Sequence, residues 1–165
     1  MRRRLLSAVI GLTVIGCVLE IVWNPKPLLV WNATASAPTG LYRRAGGAVQ
    51  IGDWVLLQPP RNVAAFAAHR GYLPNNVPMI KRAAAMRGDT VCRDKAVISI
   101  NGAVRALALV RDKMGRVLPV WQGCTRLEDD QIFVLNLPPD SFDGRYFGVV
   151  SRRNVIARIA PLWTF

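Results

Sequence analysis

Nothing constrains the fold of this chain more than "LLSAVIGLTVIGCVLEIVW", Leu5 to Trp23. The run is nineteen residues long and carries one charge, Glu20, near its far end. A helix crossing the hydrocarbon core of a bilayer needs about 20 mostly apolar residues, so this segment is just long enough. Arg2, Arg3 and Arg4 precede it without an acidic residue among them, and a basic flank stays on the cytoplasmic side. Trp23 and Trp31 suit the opposite interface, while Glu20 lies close enough to the end to reach headgroups or water. The pattern predicts a cytoplasmic basic tail over 1–4, a transmembrane anchor over 5–23 and an extracytoplasmic domain over 24–165.

Past the anchor stands "WNATASAPTGLYRR", Trp31 to Arg44, in which Ala33-Thr34-Ala35 precedes Ser36. Small residues spaced this way behind an apolar run are the mark of a leader-peptide cleavage site. The apolar run exceeds the usual leader core of about 7–15 residues, and "NPKPLLVWN" separates it from Ala35. That spacing argues for an anchor that is kept, and leaves open what Ser36 does.

The 22 Lys and Arg against 10 Asp and Glu give a net charge of +12, which suits an anionic partner. The basic residues are scattered in ones and twos, with no Lys-rich tail, nucleic-acid reading motif or zinc-finger spacing. The expected partner is therefore a lipid membrane rather than nucleic acid, with a solvated basic surface as the plainer alternative. Cys17 falls within the anchor. Cys92 and Cys124 both fall in the exported part, as a pair in an oxidising compartment would. Bridged, they would close a loop worth roughly 3–4 kcal/mol in the chain-entropy model; the alternative is two buried thiols. Two Cys and one His at long, irregular spacing make no zinc site, and neither metal nor cofactor is expected.

The exported part reads mainly as strands. "DWVLLQ" (Asp53–Gln58) is a short apolar run stopped by Pro59-Pro60, and Asn101-Gly102 between two alternating segments predicts a type I′ hairpin. "QIFVLNL" (Gln131–Leu137), "RYFGVV" (Arg145–Val150) and "NVIARIA" (Asn154–Ala160) complete the set. One helix is expected over "VAAFAAHR", capped by Asn62 and closed by Gly71. The fold expected is thus mainly β: one N-terminal membrane helix, then a single antiparallel β domain.

His69, the only histidine, sits in that helix among alanines, so a Ser-His-Asp triad or a Cys-His pair has no natural base. The other candidate base is Lys81 in "PMIKRAAAMRGDTV", where Met79 and Ile80 precede it and Ala83 to Ala85 follow. A lysine is a cation at neutral pH, but burial against apolar neighbours penalises the charge, and a neutral amine can take a proton from a serine hydroxyl. Arg82 falls on the opposite face of the pleat, solvated or ion-paired. A lysine in a strand, taken alone, is more often a surface residue.

"TASAPTG", "KRAAAMRGDTV" and "SFDGRYFG" together, in this order, resemble three sequence boxes of the type I signal peptidases, a family of Ser-Lys peptidases. With the C-terminal "IARIAPLWTF" they most resemble its conjugative-transfer, TraF-type branch, whose members mature pilin subunits. The likeness spans essentially the whole chain. It implies an antiparallel, barrel-like catalytic domain with one or two short helices, held by a single pass in the inner membrane with the catalytic part in the periplasm. Carried over by position, Ser36 is the nucleophile and Lys81, followed by Arg82, the general base. The Ser36 N–H and the Thr34 hydroxyl would form the oxyanion hole, Ser141 would orient the lysine amine, and Asp143 and Arg145 would brace the site. The partner implied is a membrane-embedded precursor protein, a leader peptide or propilin.

The chain departs from the commoner pattern at Ala37, where methionine is usual, at Ala85 and Arg87, and at Gly144 in place of serine. Neither Ser36 nor Lys81 is touched, so the departures bear on substrate preference. On this reading Ser36 attacks other chains. Self-cleavage, water versus an amine as the final acceptor, and the oligomeric state stay open. The rival from another class is an anchored structural protein of an envelope assembly that keeps the boxes as scaffold. A soluble self-cleaving Ser-Lys repressor is disfavoured by the anchor and the lack of a DNA-binding motif.

Overall fold

A computed structural model describes residues 6, 9–11, 13–14, 16 and 28–165. Most of the expected anchor, with Cys17 and Trp23, lies outside the described residues; those described within it are helical. Among the described residues no helix is long and apolar enough to cross a membrane.

From Leu28 onward short runs broken by Gly, Pro and Asn build strands. They are β1 (Leu29–Asn32), β2 (Gly40–Ala45), β3 (Trp54–Leu57), β4 (Met79–Ala85), β5 (Thr90–Asp94), β6 (Val97–Ile100), β7 (Ala103–Leu107), β8 (Gly123–Arg126), β9 (Gln131–Val134), β10 (Val150–Ser151) and β11 (Val155–Thr164). Two helices interrupt them, α1 (Arg61–His69) and the single turn α2 (Gly144–Phe147).

The larger sheet has the antiparallel order β1-β2-β11-β3-β4-β9-β10. Ten-residue β11 pairs with both β2 and β3, and its register slips between Pro161 and Trp163 and again between Val155 and Ala157. Such slips bend a strand and sharpen its twist. Gly40 is needed at the closest approach: a Cβ there would lie 2.2 Å from the Trp163 carbonyl oxygen, at a φ of +133°. The inner face buries Tyr42, Leu56, Ile80, Ala157 and Ile159 around Ala37, which draws the β1–β2 turn over β4.

The smaller sheet runs β7-β6-β5-β8. Its β6–β7 hairpin turns at Asn101 and Gly102, both at positive φ (53° and 79°), as the Asn-Gly pair predicts. Cys92 and Cys124 are direct partners across β5 and β8 and are joined by a disulfide. Val91, Ile98 and Ile100 pack on Ala85 and Phe133 and couple the two sheets.

Two local expectations are corrected. α1 is capped by Pro60 with no side-chain hydrogen bond, and Asn62 sits inside the helix. Proline suits a helix entry because its fixed φ is already helical and its missing N–H is one that a first turn leaves unpaired. "RYFGVV" is not a strand: Asp143 accepts a hydrogen bond from the Arg145 N–H and starts α2, and only Val150 continues into β10. Beyond those, β1, β2, β5 and β8 are strands the sequence reading did not name; β8 is exposed throughout and β1 is the edge of its sheet. The close of α1 is as expected: Gly71 adopts φ +69°, with Gly71 N–H to Ala68 O and Tyr72 N–H to Ala67 O.

Candidate active site

Ser36 lies in the tight turn between β1 and β2. The turn is shaped from within by Asn32, 5% exposed. Its Oδ1 accepts from the Thr34 N–H (3.1 Å) and Thr34 Oγ1 (2.9 Å). Its Nδ2 donates to the carbonyls of Thr34 (2.9 Å), Ala37 (3.0 Å) and Pro38 (3.0 Å). Tyr42 adds a hydrogen bond from its hydroxyl to the Pro38 carbonyl, 2.7 Å. Ala37, 4% exposed, shares a buried cluster with Ile80 of β4.

Lys81 lies in the middle of β4, paired with Val55, and is 3% exposed. Burial pushes its amine from 10.5 down to about 8. Desolvation is the largest cause; Asp143 works against it and Arg145 with it. The two opposed charges form a fully buried ion pair, Arg145 Nη2 to Asp143 Oδ2 at 2.9 Å and Nε to Oδ1 at 3.0 Å. Arg145 thereby opposes the field with which Asp143 would hold the lysine charged. Lys81 Nζ donates to Ser141 Oγ at 3.0 Å, and Ser141 is itself buried.

Ser36 and Lys81 line one cleft of about 890 Å³. It is lined by the Ser36 turn from Trp31, the Gly71–Pro74 loop, Pro78 to Lys81, part of the 109–118 hairpin, and Ser141, Phe142 and Tyr146. A charged knot also lines the cleft: Asp112 accepts from the Tyr72 hydroxyl and from Arg116 Nε at 2.8 Å. The structure thus brings Ser36, Thr34, Lys81 and Ser141 to a single cleft, with Asp143 and Arg145 beneath it. Arg82 points away, its Nε on the Gly52 carbonyl (2.8 Å) and its guanidinium over the Trp54 ring. His69 is exposed at the end of α1.

In this arrangement the serine and lysine are not hydrogen-bonded to each other. The amide oxygen of Asn32 can only accept, so Thr34 spends its one hydroxyl proton there. In the 3.3 Å contact between Thr34 Oγ1 and Ser36 Oγ the serine is then the donor. The Ser36 backbone N–H has no protein acceptor among the described residues, as an oxyanion donor requires.

Two residues escaped the sequence reading. Asn32 is one; Asn136, 2% exposed, is the other. Asn136 follows β9 and donates from Nδ2 to the Ser36 carbonyl (2.6 Å) and the Ile80 carbonyl (3.2 Å), while its Oδ1 accepts from the Arg82 N–H (2.8 Å). A lone asparagine inside the apolar run "IFVLNL" was the available sign, because buried amides are kept where their hydrogen bonds are met.

The family model described as signal peptidase, peptidase S26, matches residues 1–163. A plasmid transfer protein TraF of Escherichia coli is 33% identical over 145 residues, covering 81% of this chain and 82% of that one. A conjugal transfer protein TraF of Agrobacterium fabrum (strain C58 / ATCC 33970) is 30% identical over 144 residues, 81% of each chain. A solved signal peptidase I from Enterococcus faecalis V583 superposes with a TM-score of 0.42 at 19% identity, over 70% of this chain and 100% of that one. On the match over nearly its whole length, this chain belongs to the signal peptidase family, peptidase S26.

Proposed function

We propose that the chain is a membrane-anchored serine endopeptidase with a Ser36–Lys81 dyad, serving a conjugative transfer system by trimming leader peptides or pilin precursors. The observation that carries this reading is a lysine amine 3% exposed and lowered to about 8, lining the same cleft as an unburied serine. The names of the TraF relatives support the setting.

In the reaction proposed, a precursor segment with small residues before its scissile bond lies in the cleft in extended form. Ser36 turns its hydroxyl from Thr34 to Lys81, whose neutral amine takes the proton while the oxygen attacks the carbonyl carbon. The hydrogen bond from Lys81 to Ser141 holds the amine so that its lone pair remains for the serine. The Ser36 N–H meets the oxyanion; the Thr34 hydroxyl joins it only by leaving Asn32. Protonated Lys81 then gives its proton to the leaving amine. Water releases the acyl group as a linear product, or the substrate's own N-terminal amine releases it as a ring. The apolar run 5–23 would hold this cleft close to the outer face of the inner membrane, on the periplasmic side, where precursors emerge.

Mass spectrometry of candidate pilin precursors co-expressed with the wild-type chain and with Ser36→Ala tests the reading. Shortened precursor only with wild type is expected; a further loss of one water marks ring closure. Equal processing with Ser36→Ala and wild type sinks it.

A further inference from the structure

The nucleophile and the base come from distant parts of the chain, and their relative position must be held by something other than sequence neighbours. Asn32 and Tyr42 shape the Ser36 turn, but both belong to β1 and β2. Ala37 shares a buried apolar cluster with Ile80, and apolar packing sets no direction. Among the described residues, the hydrogen bond that ties the turn to the central strands is the one from Asn136 to the Ser36 carbonyl, 100 residues apart in sequence.

We infer that Asn136 is a positioning residue, whose two amide donors and one acceptor lock the Ser36 turn to the β4 segment that carries Lys81. The inference rests on the peptidase reading above. The Arg82 N–H can only donate, so it fixes the amide with Oδ1 toward it and leaves both Nδ2 hydrogens for the carbonyls of Ser36 and Ile80. Ile80 and Arg82 are the residues on either side of Lys81, so the base is clamped on both flanks. Charged groups face Asn136 from the other side as well. Its N–H donates to Asp143 Oδ2 (3.0 Å) and its carbonyl accepts from Arg145 Nη2 (2.5 Å), joining the buried ion pair to the same hub.

This pattern of one acceptor and two donors is what an amide supplies and a carboxylate of the same shape does not. Asn136→Asp keeps the volume but sets a carboxylate oxygen against two carbonyl oxygens. Asn136→Leu keeps approximate volume and offers nothing polar. The full-length chain in detergent micelles is assayed on an internally quenched peptide with alanine at the first and third positions before the scissile bond. Wild type, Ser36→Ala, Asn136→Asp and Asn136→Leu are compared, each with a thermal melt.

Both Asn136 variants are expected to stay folded, to hold KM within about threefold, and to lose kcat by on the order of 100-fold, the cost of a misplaced reacting group. The ratio of Asn136→Asp to wild-type kcat should climb as pH falls, because a protonated carboxyl regains a donor for the Ser36 carbonyl. The Asn136→Leu ratio should stay flat. Wild-type kcat in Asn136→Asp overturns the inference. So does activity that falls only with the folded fraction, or two unfolded variants, since either outcome makes Asn136 a residue of the fold alone. Wild type no faster than Ser36→Ala removes the peptidase reading instead, and this inference with it.

Discussion

Replacing Lys81 by methionine should abolish peptidase activity while making the folded chain more stable at neutral pH. The amine is lowered from 10.5 to about 8 by burial, a fall that corresponds to roughly 3 kcal/mol at about 1.4 kcal/mol per pH unit. That free energy is the cost of holding a charged ammonium in a dry site. Methionine fills a similar volume without charge, but it leaves the Ser141 hydroxyl without its donor, a loss of roughly 1 kcal/mol. The net expected gain is about 2 kcal/mol, or roughly 4–8 °C in melting temperature for a chain of this size. The sign with pH follows from the folded value lying below the unfolded one. Between about 8 and 10.5 the unfolded chain holds a proton that the folded chain lacks, so wild-type stability rises with pH across that window. Below it, the cost is present in full. Thermal melts of the full chain in detergent, at neutral pH and near pH 10.5, therefore should show Lys81→Met ahead at the first and nearly level with wild type at the second. A variant no more stable than wild type at neutral pH, or an advantage unchanged at the higher pH, would mean a solvated or ion-paired amine, and the case for a neutral base would fall.

Three further outcomes are expected. The acid limb of kcat/KM should have its midpoint near pH 8, the value burial imposes on Lys81, and Lys81→Arg should be inactive at every pH because a guanidinium does not give up its proton; a midpoint far below that, in free enzyme, would point to another base. Gly144→Ser, which restores the residue common in the family, should destabilise the chain by roughly 1–3 kcal/mol, since a Cβ there would lie 2.6 Å from the Val134 carbonyl oxygen and 2.5 Å from the Phe133 ring; urea unfolding measures it, and a neutral result shows that the β9 backbone yields. Cys92 and Cys124 should resist thiol reagents, even in denaturant, until reduced; labelling of both in the unreduced denatured chain would count against the bridge.

Local chemistry was legible in the sequence wherever a residue's role depends on its immediate neighbours. Asn101-Gly102 demands a tight hairpin because both positions take positive φ, and Gly71 closes α1 for the same reason. The apolar neighbours of Lys81 made a dry amine one option beside a surface lysine, and in the strand Met79, Ala83 and Ala85 share its buried face. The ordered boxes placed Ser36, Lys81, Ser141, Asp143 and Arg145 in one family pattern. What misled was local too: "RYFGVV" is rich in aromatic and β-branched residues like a strand, yet Asp143 caps a helical turn there and is also bound to Arg145.

Only the tertiary structure decided how these pieces meet. Ser36 sits at one end of the β1–β2 edge and Lys81 three strands further into the sheet, so a flat sheet would hold them far apart. The slips in β11 and the bare backbone at Gly40 let the sheet curl. Asn136 then spans the gap with hydrogen bonds whose partners lie 54, 56 and 100 residues away. The apolar run around it marks Asn136 as a buried amide, but not its partners, because its meaning lies in acceptors and donors that folding alone brings within 3.2 Å of it. The same holds for the charge state of Lys81, where composition supplies the apolar neighbours but the balance between Asp143 and Arg145 exists only once both are buried beside it.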